Sequence, residues 1–181
     1  MAKKVSFSNE KLELVEIANY YSDSEQSFKM YYLNNNHALE ERFFGYSRED
    51  LANELRSRIE ELNHTSSLTL LATLEAAFRI DYLQRNYKKK RDPLSRSFRN
   101  LFKTKNSKAS LEDDILEAWK SNAHGTSKII GDLKGALKYR HWLAHGRYWT
   151  PKMGRQNYDY ATVYELVETV LNSFPFEGVN A

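Results

Sequence analysis

Residues 133–149 read LKGALKYRHWLAHGRYW, and the spacing of their apolar members predicts a helix rather than a strand. At 100° per residue, Leu133, Ala136 and Leu143 share one stripe with the preceding Ile129, and Arg140 falls in the middle of it. Lys134, Lys138, His141 and His145 follow at intervals of four, three and four on a separate basic face. Gly146 is a natural stop, because glycine enters the left-handed conformation that ends helices without a steric penalty. The predicted helix therefore runs from near Thr126 to Gly146.

The same reading extends in both directions. Downstream, a loop with Pro151 and Gly154 leads to a helix from near Asp159, with Val163, Leu166, Val167, Val170 and Leu171 inward and an end before Pro175. Upstream, Ser110 with Asp113 starts a helix through Ile115, Leu116 and Trp119. Asp92-Pro93 starts a shorter one reaching about Phe102, with Leu94, Phe98 and Leu101 inward and residues 103–109 as a loop. Ser47-Arg48-Glu49-Asp50 is a capping arrangement opening a helix through Leu51, Leu55, Ile59 and Leu62. An interruption is expected at residues 64–67, after which Leu71, Leu74, Phe78 and Tyr82 continue the pattern to about Tyr87. A first helix over about residues 9–33 carries Leu14, Ile17, Ala18 and Tyr21, with room for a break at 22–24 and an end at Asn34-Asn35-Asn36. No segment alternates as a strand does, and no repeat marks a second domain. The predicted fold class is all-α, a single-domain helical bundle.

Composition agrees. Of 181 residues, 41% are hydrophobic and 28% charged, and seven glycines and three prolines are few for a chain of hairpins. The absence of cysteine excludes disulfides and thiolate metal sites. No apolar run approaches the roughly 20 residues of a membrane span, and no leader is visible, so a cytoplasmic, non-membrane protein is expected. The net charge of +3 conceals segregation: residues 85–108 hold ten bases and one acid, residues 133–158 six bases and no acid, and residues 10–61 twelve acids against six bases. A basic surface facing a polyanion is one reading; solvated helix faces are the other.

Arg140 is the odd residue of its stripe. A guanidinium cannot shed its proton, so burying it demands a carboxylate, carbonyl oxygens or an anionic ligand. Its planar fork matches two phosphate oxygens at once. Histidine titrates near neutrality and can donate or accept a proton there, which makes His145, and His141 beside it, candidates for acid–base work.

The run Arg140-His141-Trp142-Leu143-Ala144-His145 resembles the R-x4-6-H signature of HEPN domains, in which a polar residue commonly follows the arginine; His141 fills that place. The resemblance implies an antiparallel helical bundle over about residues 47–174, with an extra N-terminal helix over about 9–45. It further implies a metal-independent endoribonuclease, active as a homodimer with a composite site, in which the RNA's own 2′-hydroxyl attacks the adjacent phosphate. Arg140 would bind that phosphate, His145 would move the proton and His141 would assist. A toxin or phage-defence role, with an antitoxin or regulatory partner, is the family's common setting. Its other forms are a noncatalytic interaction module and the partner of a separate nucleotidyltransferase. The spacing alone is permissive, since Arg58 and His64 also satisfy R-x5-H, with Ile59 after the arginine and two acids inside.

Supporting residues are expected upstream. Glu75 and Arg79 are spaced to pair along one helix face, and Glu75 or Asp81 could instead orient Arg140 or His145. Lys134, Lys138, Arg147, Tyr148 and Trp149 are the candidate RNA contacts, because bases mixed with aromatics suit a single strand's phosphates and unstacked bases. Aromatics at a dimer interface would read the same way. Lys88-Lys89-Lys90-Arg91 is either a nonspecific RNA track or a solvated helix end. No cofactor is implied. His141 and His145 have the spacing of a helical zinc pair, but Trp142, Leu143 and Ala144 between them do not make HExxH, and the neighbouring cations oppose a metal ion.

Overall fold

The computed structural model describes residues 4–8, 10–33, 41–153 and 156–179, and the regular secondary structure among the described residues is helical throughout. The α-helices are α1 (Leu14–Leu33), α2 (Arg48–Tyr87), α3 (Pro93–Lys105), α4 (Leu116–Asn122), α5 (Ser127–Ala144) and α6 (Tyr160–Ser173). A 3₁₀ turn, Asn106–Lys108, follows α3, and a π turn, Leu111–Ile115, leads into α4. Residues 34–36, where the first helix was expected to end, and Gly154 lie outside the described residues.

Helix starts follow local chemistry. Ser47 and Asp50 form a reciprocal capping box at α2, Asp92 accepts from the Ser95 N–H ahead of Pro93, Ser110 from Asp113, and Asp159 from Thr162. α1 begins at Leu14 rather than near residue 9, because Glu16 turns back to accept the Glu13 N–H at 2.7 Å. α5 ends in a Schellman turn: Gly146, at φ +78°, follows His145, and the Arg147 N–H donates to the Trp142 carbonyl at 3.1 Å.

Three expectations need correction. α2 runs unbroken for 40 residues, about 60 Å at 1.5 Å per residue, straight through 64–67. Two threonine hydroxyls at and just beyond that stretch bond back into the helix, Thr65 Oγ1 donating to the Glu61 carbonyl and Thr69 Oγ1 to the Thr65 carbonyl, each at 3.0 Å, while the Ser66 and Ser67 hydroxyls are buried without a hydrogen-bond partner. α1 is likewise unbroken at 22–24, where Ser27 Oγ donates to the Asp23 carbonyl. α3 continues to Lys105, past the expected end at Phe102, and part of the expected loop is helical. Tyr82 Oη donates to the Asn106 carbonyl and Lys105 pairs with Asp114 at 2.6 Å, which fastens that extra turn to α2 and the π turn.

One core joins all six helices around α2, whose Leu70, Leu71, Leu74, Phe78 and Tyr82 are buried with Trp119, Leu133 and Val167. Phe78 meets Trp119, Phe174 and Phe176 edge-on, with centroids 4.9–6.4 Å apart. A satellite cluster holds Tyr32 and Phe43 beside Leu51 and Leu55. Gly135 lets Tyr158 close on α5: a Cβ there would collide with the Tyr158 hydroxyl, whose ring stacks on Tyr139 at 5.5 Å. Glu75 of α2 meets Arg140 of α5, and Glu61 meets Arg147, so contacts that retreat along α2 advance past the end of α5. That packing brings the end of α5 onto the middle of α2.

Candidate active site

The stripe that holds Arg140 leaves the core as α5 ends. Leu133 and Ala136 are fully buried, the Arg140 side chain is 34% exposed, and Ala144 is exposed. Arg140 therefore stands at the mouth of the core rather than in the middle of a buried stripe. Its Nη2 pairs with Glu75 Oε2 at 3.0 Å, while its Nε is buried without a partner. The other Glu75 oxygen accepts from Arg79 Nε at 2.8 Å, and Arg79 Nη1 donates to the Ala109 carbonyl at 3.2 Å. Glu75 thus pairs both with Arg79 along α2 and with Arg140 across to α5. A carboxylate shared by two guanidiniums leaves both with N–H groups to spare.

Asp81 is elsewhere. It is buried against Arg85 Nε at 2.7 Å and accepts the Glu177 N–H at 2.8 Å, and burial pushes its carboxyl up to about 6 against the pull of Arg85. Arg85 continues to Asp92 and to the Pro175 carbonyl. Those contacts clamp the chain after α6 onto the end of α2, so Asp81 orients neither Arg140 nor His145. Six residues on one helix, a turn and two-thirds, separate the two carboxylates and turn them to different neighbours.

His141 and His145 are exposed, with ring centroids 4.2 Å apart, and His141 lies 5.8 Å from the Trp149 ring. No hydrogen bond or ion pair among the described residues joins Arg140 to either histidine. Five residues set Arg140 and His145 about 140° apart around an ideal helix, and α5 keeps that helix through Ala144. Within one chain the guanidinium faces α2 while the imidazoles face solvent.

The candidate RNA contacts divide. Lys138 is exposed and makes no ion pair among the described residues, and Tyr148 is 84% exposed. Lys134 is engaged by Glu117 at 2.6 Å. Trp149 is half-buried, its carbonyl accepting from Trp142 Nε1 at 2.6 Å. Arg147, at φ +57°, bonds Glu61 at 2.7 Å and His64 Nδ1 at 2.7 Å. A guanidinium only donates, so His64 carries its own hydrogen on Nε2. His64 also meets Trp142 edge-on at 5.8 Å. Arg58, by contrast, pairs with Glu54 on α2. The sequence offered His64 only as the partner of Arg58; the direct arginine–histidine contact it makes is with Arg147, 83 residues away.

No family model, no curated protein and no solved structure matches this chain. The residues themselves carry the functional argument. Among those described, no group of three or more histidine and carboxylate side chains gathers as a metal site would, and no helix is long and apolar enough to cross a membrane. The arrangement offers a guanidinium with unspent donors, two exposed imidazoles in contact, an exposed lysine and an exposed phenol ring at one helix end. Such a set has the chemistry needed to bind an anion and to move protons.

Proposed function

We propose that this chain is a metal-independent endoribonuclease of the HEPN type, an antiparallel bundle whose reaction centre is the end of α5. The observation that carries the reading is the exposed His141–His145 pair, at 4.2 Å, on the same helix end as an incompletely satisfied Arg140. In the reaction, the 2′-oxygen of RNA bonds to phosphorus as the bond from phosphorus to the 5′-oxygen breaks. One imidazole takes the 2′-hydroxyl proton and the other supplies a proton to the departing oxygen, leaving a 2′,3′-cyclic phosphate and a 5′-hydroxyl. Arg140 binds the phosphate and stabilises the charge that develops on it. Because Arg140 and His145 diverge on one helix, the complete site is composite: the arginine of one copy meets the imidazoles of a second across a twofold axis. Tyr148 and Lys138 supply a stacking face and a phosphate contact. A defence or toxin role, with a neutralising partner, would follow from such an activity.

The Glu75–Arg140 ion pair favours a second reading, a noncatalytic module that holds nucleic acid or protein, because it gives the guanidinium a structural reason to exist. Incubation of the purified protein with labelled single-stranded RNA in excess EDTA separates the two. Cleavage that disappears in both Arg140→Ala and His145→Ala, with folding retained, is the expected result. Binding without cleavage establishes the module, and loss only in Arg58→Ala or His64→Ala moves the centre to α2.

A further inference from the structure

The bases of residues 85–108 find only part of their charge balanced. Lys88 and Lys90 pair with Glu177, and Lys105 with Asp114. Arg91, Arg96, Arg99, Lys103 and Lys108 make no ion pair among the described residues, and the chain holds no acid between Asp92 and Glu112. Arg96, Arg99 and Lys103 recur at intervals of three and four, so they share the face of α3 opposite buried Leu94 and Phe98. Two of them are braced: Arg96 Nε donates to the Arg91 carbonyl at 2.8 Å, and Arg99 Nη1 to the Lys90 carbonyl. Bracing by neutral carbonyls fixes the guanidiniums over the α2–α3 turn without cancelling their charge.

This face does not end blindly. Beyond Lys103 the chain passes Lys108 to Ala109, whose carbonyl accepts from Arg79, and Arg79 shares Glu75 with Arg140. This hydrogen-bond chain links the segment that follows the cationic face of α3 to the proposed reaction centre. From the contact chain we infer that the outer face of α3 is a phosphate-binding track that delivers a single-stranded RNA to Arg140. The inference rests on the ribonuclease reading for the identity of the polyanion, and it makes the substrate a strand long enough to span both regions. An acidic membrane is the less suitable occupant. Peripheral helices hold lipid by an exposed apolar face as well as by charge, whereas the apolar face of α3 is in the core.

The test uses the full chain with Arg91, Lys103 and Lys108 all changed to Glu. The side chains of the three make no hydrogen bond or ion pair among the described residues, the Arg91 group that holds Arg96 being its backbone carbonyl, and circular dichroism with thermal unfolding checks the fold. Fluorescence anisotropy with a labelled 20-nucleotide RNA is measured across a salt series, beside cleavage of a four-nucleotide RNA. Removing three phosphate contacts should weaken long-RNA binding about 100-fold near 0.1 M salt and flatten the slope of log affinity against log salt by about 2. Cleavage of the short RNA should not change. Should the triple variant fold poorly, Arg91→Gln with Lys103→Gln is expected to shift the slope by about 1.4. Unchanged long-RNA affinity and slope in a folded variant would overturn the track, as would wild-type protein that sediments with phosphatidylserine vesicles and ignores RNA. Weakened binding in a protein that cleaves neither RNA would retain the track and sink the ribonuclease reading instead.

Discussion

Two ion pairs on α2, one turn and two-thirds apart, have opposite characters. Asp81–Arg85 is closed: its side chains are 0% and 7% exposed, and Arg85 uses Nε, Nη1 and Nη2 on Asp81, Asp92, Ser95 and the Pro175 carbonyl. Glu75–Arg140 is open: 19% and 34% exposed, with one guanidinium nitrogen on the carboxylate and another lacking any partner. The first pair engages every guanidinium nitrogen, leaves only the buried Asp81 Oδ2 without a partner, and ties three segments together. The second is partly exposed and under-used, although its unpartnered Nε is itself buried. Burial of an ion pair is thus a poor guide to function by itself; the unspent donors distinguish the two.

The contrast can be broken most sharply through Arg140. Arg140→Ala should lower the rate of RNA cleavage about 1,000-fold, with the midpoint of urea unfolding nearly unchanged, because a group that stabilises developing charge contributes to the transition state and little to the fold. Arg140→Lys should recover only a minor part, since an ammonium lacks the planar fork. Equal rates in wild type and Arg140→Ala would remove the open pair from the chemistry.

Arg85→Ala should do the reverse, costing about 3–5 kcal/mol in urea unfolding by leaving the Asp81 carboxylate buried and unpaired. A loss below 1 kcal/mol would show that the closed pair is not a clamp. The same pair has a pH signature. Asp81 titrates at about 6 in the folded chain against an ordinary 3.8. Between those values the folded state keeps a proton that the unfolded state has released, so stability falls as pH rises through the window and levels above it. The two-unit difference corresponds to about 3 kcal/mol. Asp81→Asn should abolish this component, and subtracting its stability profile from that of the wild type cancels Asp92 and Asp159, whose carboxyls are held low by the N–H and hydroxyl groups they cap. Parallel profiles from pH 4 to 7 would contradict the assignment.

The smallest effect belongs to the open carboxylate. Glu75→Gln should change stability by about 1 kcal/mol or less, because the pair is partly exposed and an amide oxygen can still accept from a guanidinium. If Glu75 orients Arg140, the variant should nevertheless cleave RNA more slowly, with KM rising because the phosphate is held less well. A variant that loses stability as Arg85→Ala does would make the two pairs alike after all.

What the sequence determined by itself is whatever depends on near neighbours. Ser47 with Asp50, Asp92 with Pro93, Ser110 with Asp113, Asp159 and Gly146 mark helix ends correctly because a cap bonds a backbone group within five residues. The all-helical class follows from apolar spacing of the same short range. At 64–67 that logic misjudged the chain, because the Thr65 hydroxyl, of a kind that can break a helix, bonds back into it instead, and the small side chains of Ser66 and Ser67 pack inside the bundle. Partner choice was out of reach. That Glu75 rather than Asp81 meets Arg140, that Arg147 is held by Glu61 and His64, and that Lys134 is taken by Glu117 were decided by which helices pack together. Ion pairs between residues 17 to 86 positions apart leave no period in a sequence; they exist only once the core has set the helices side by side.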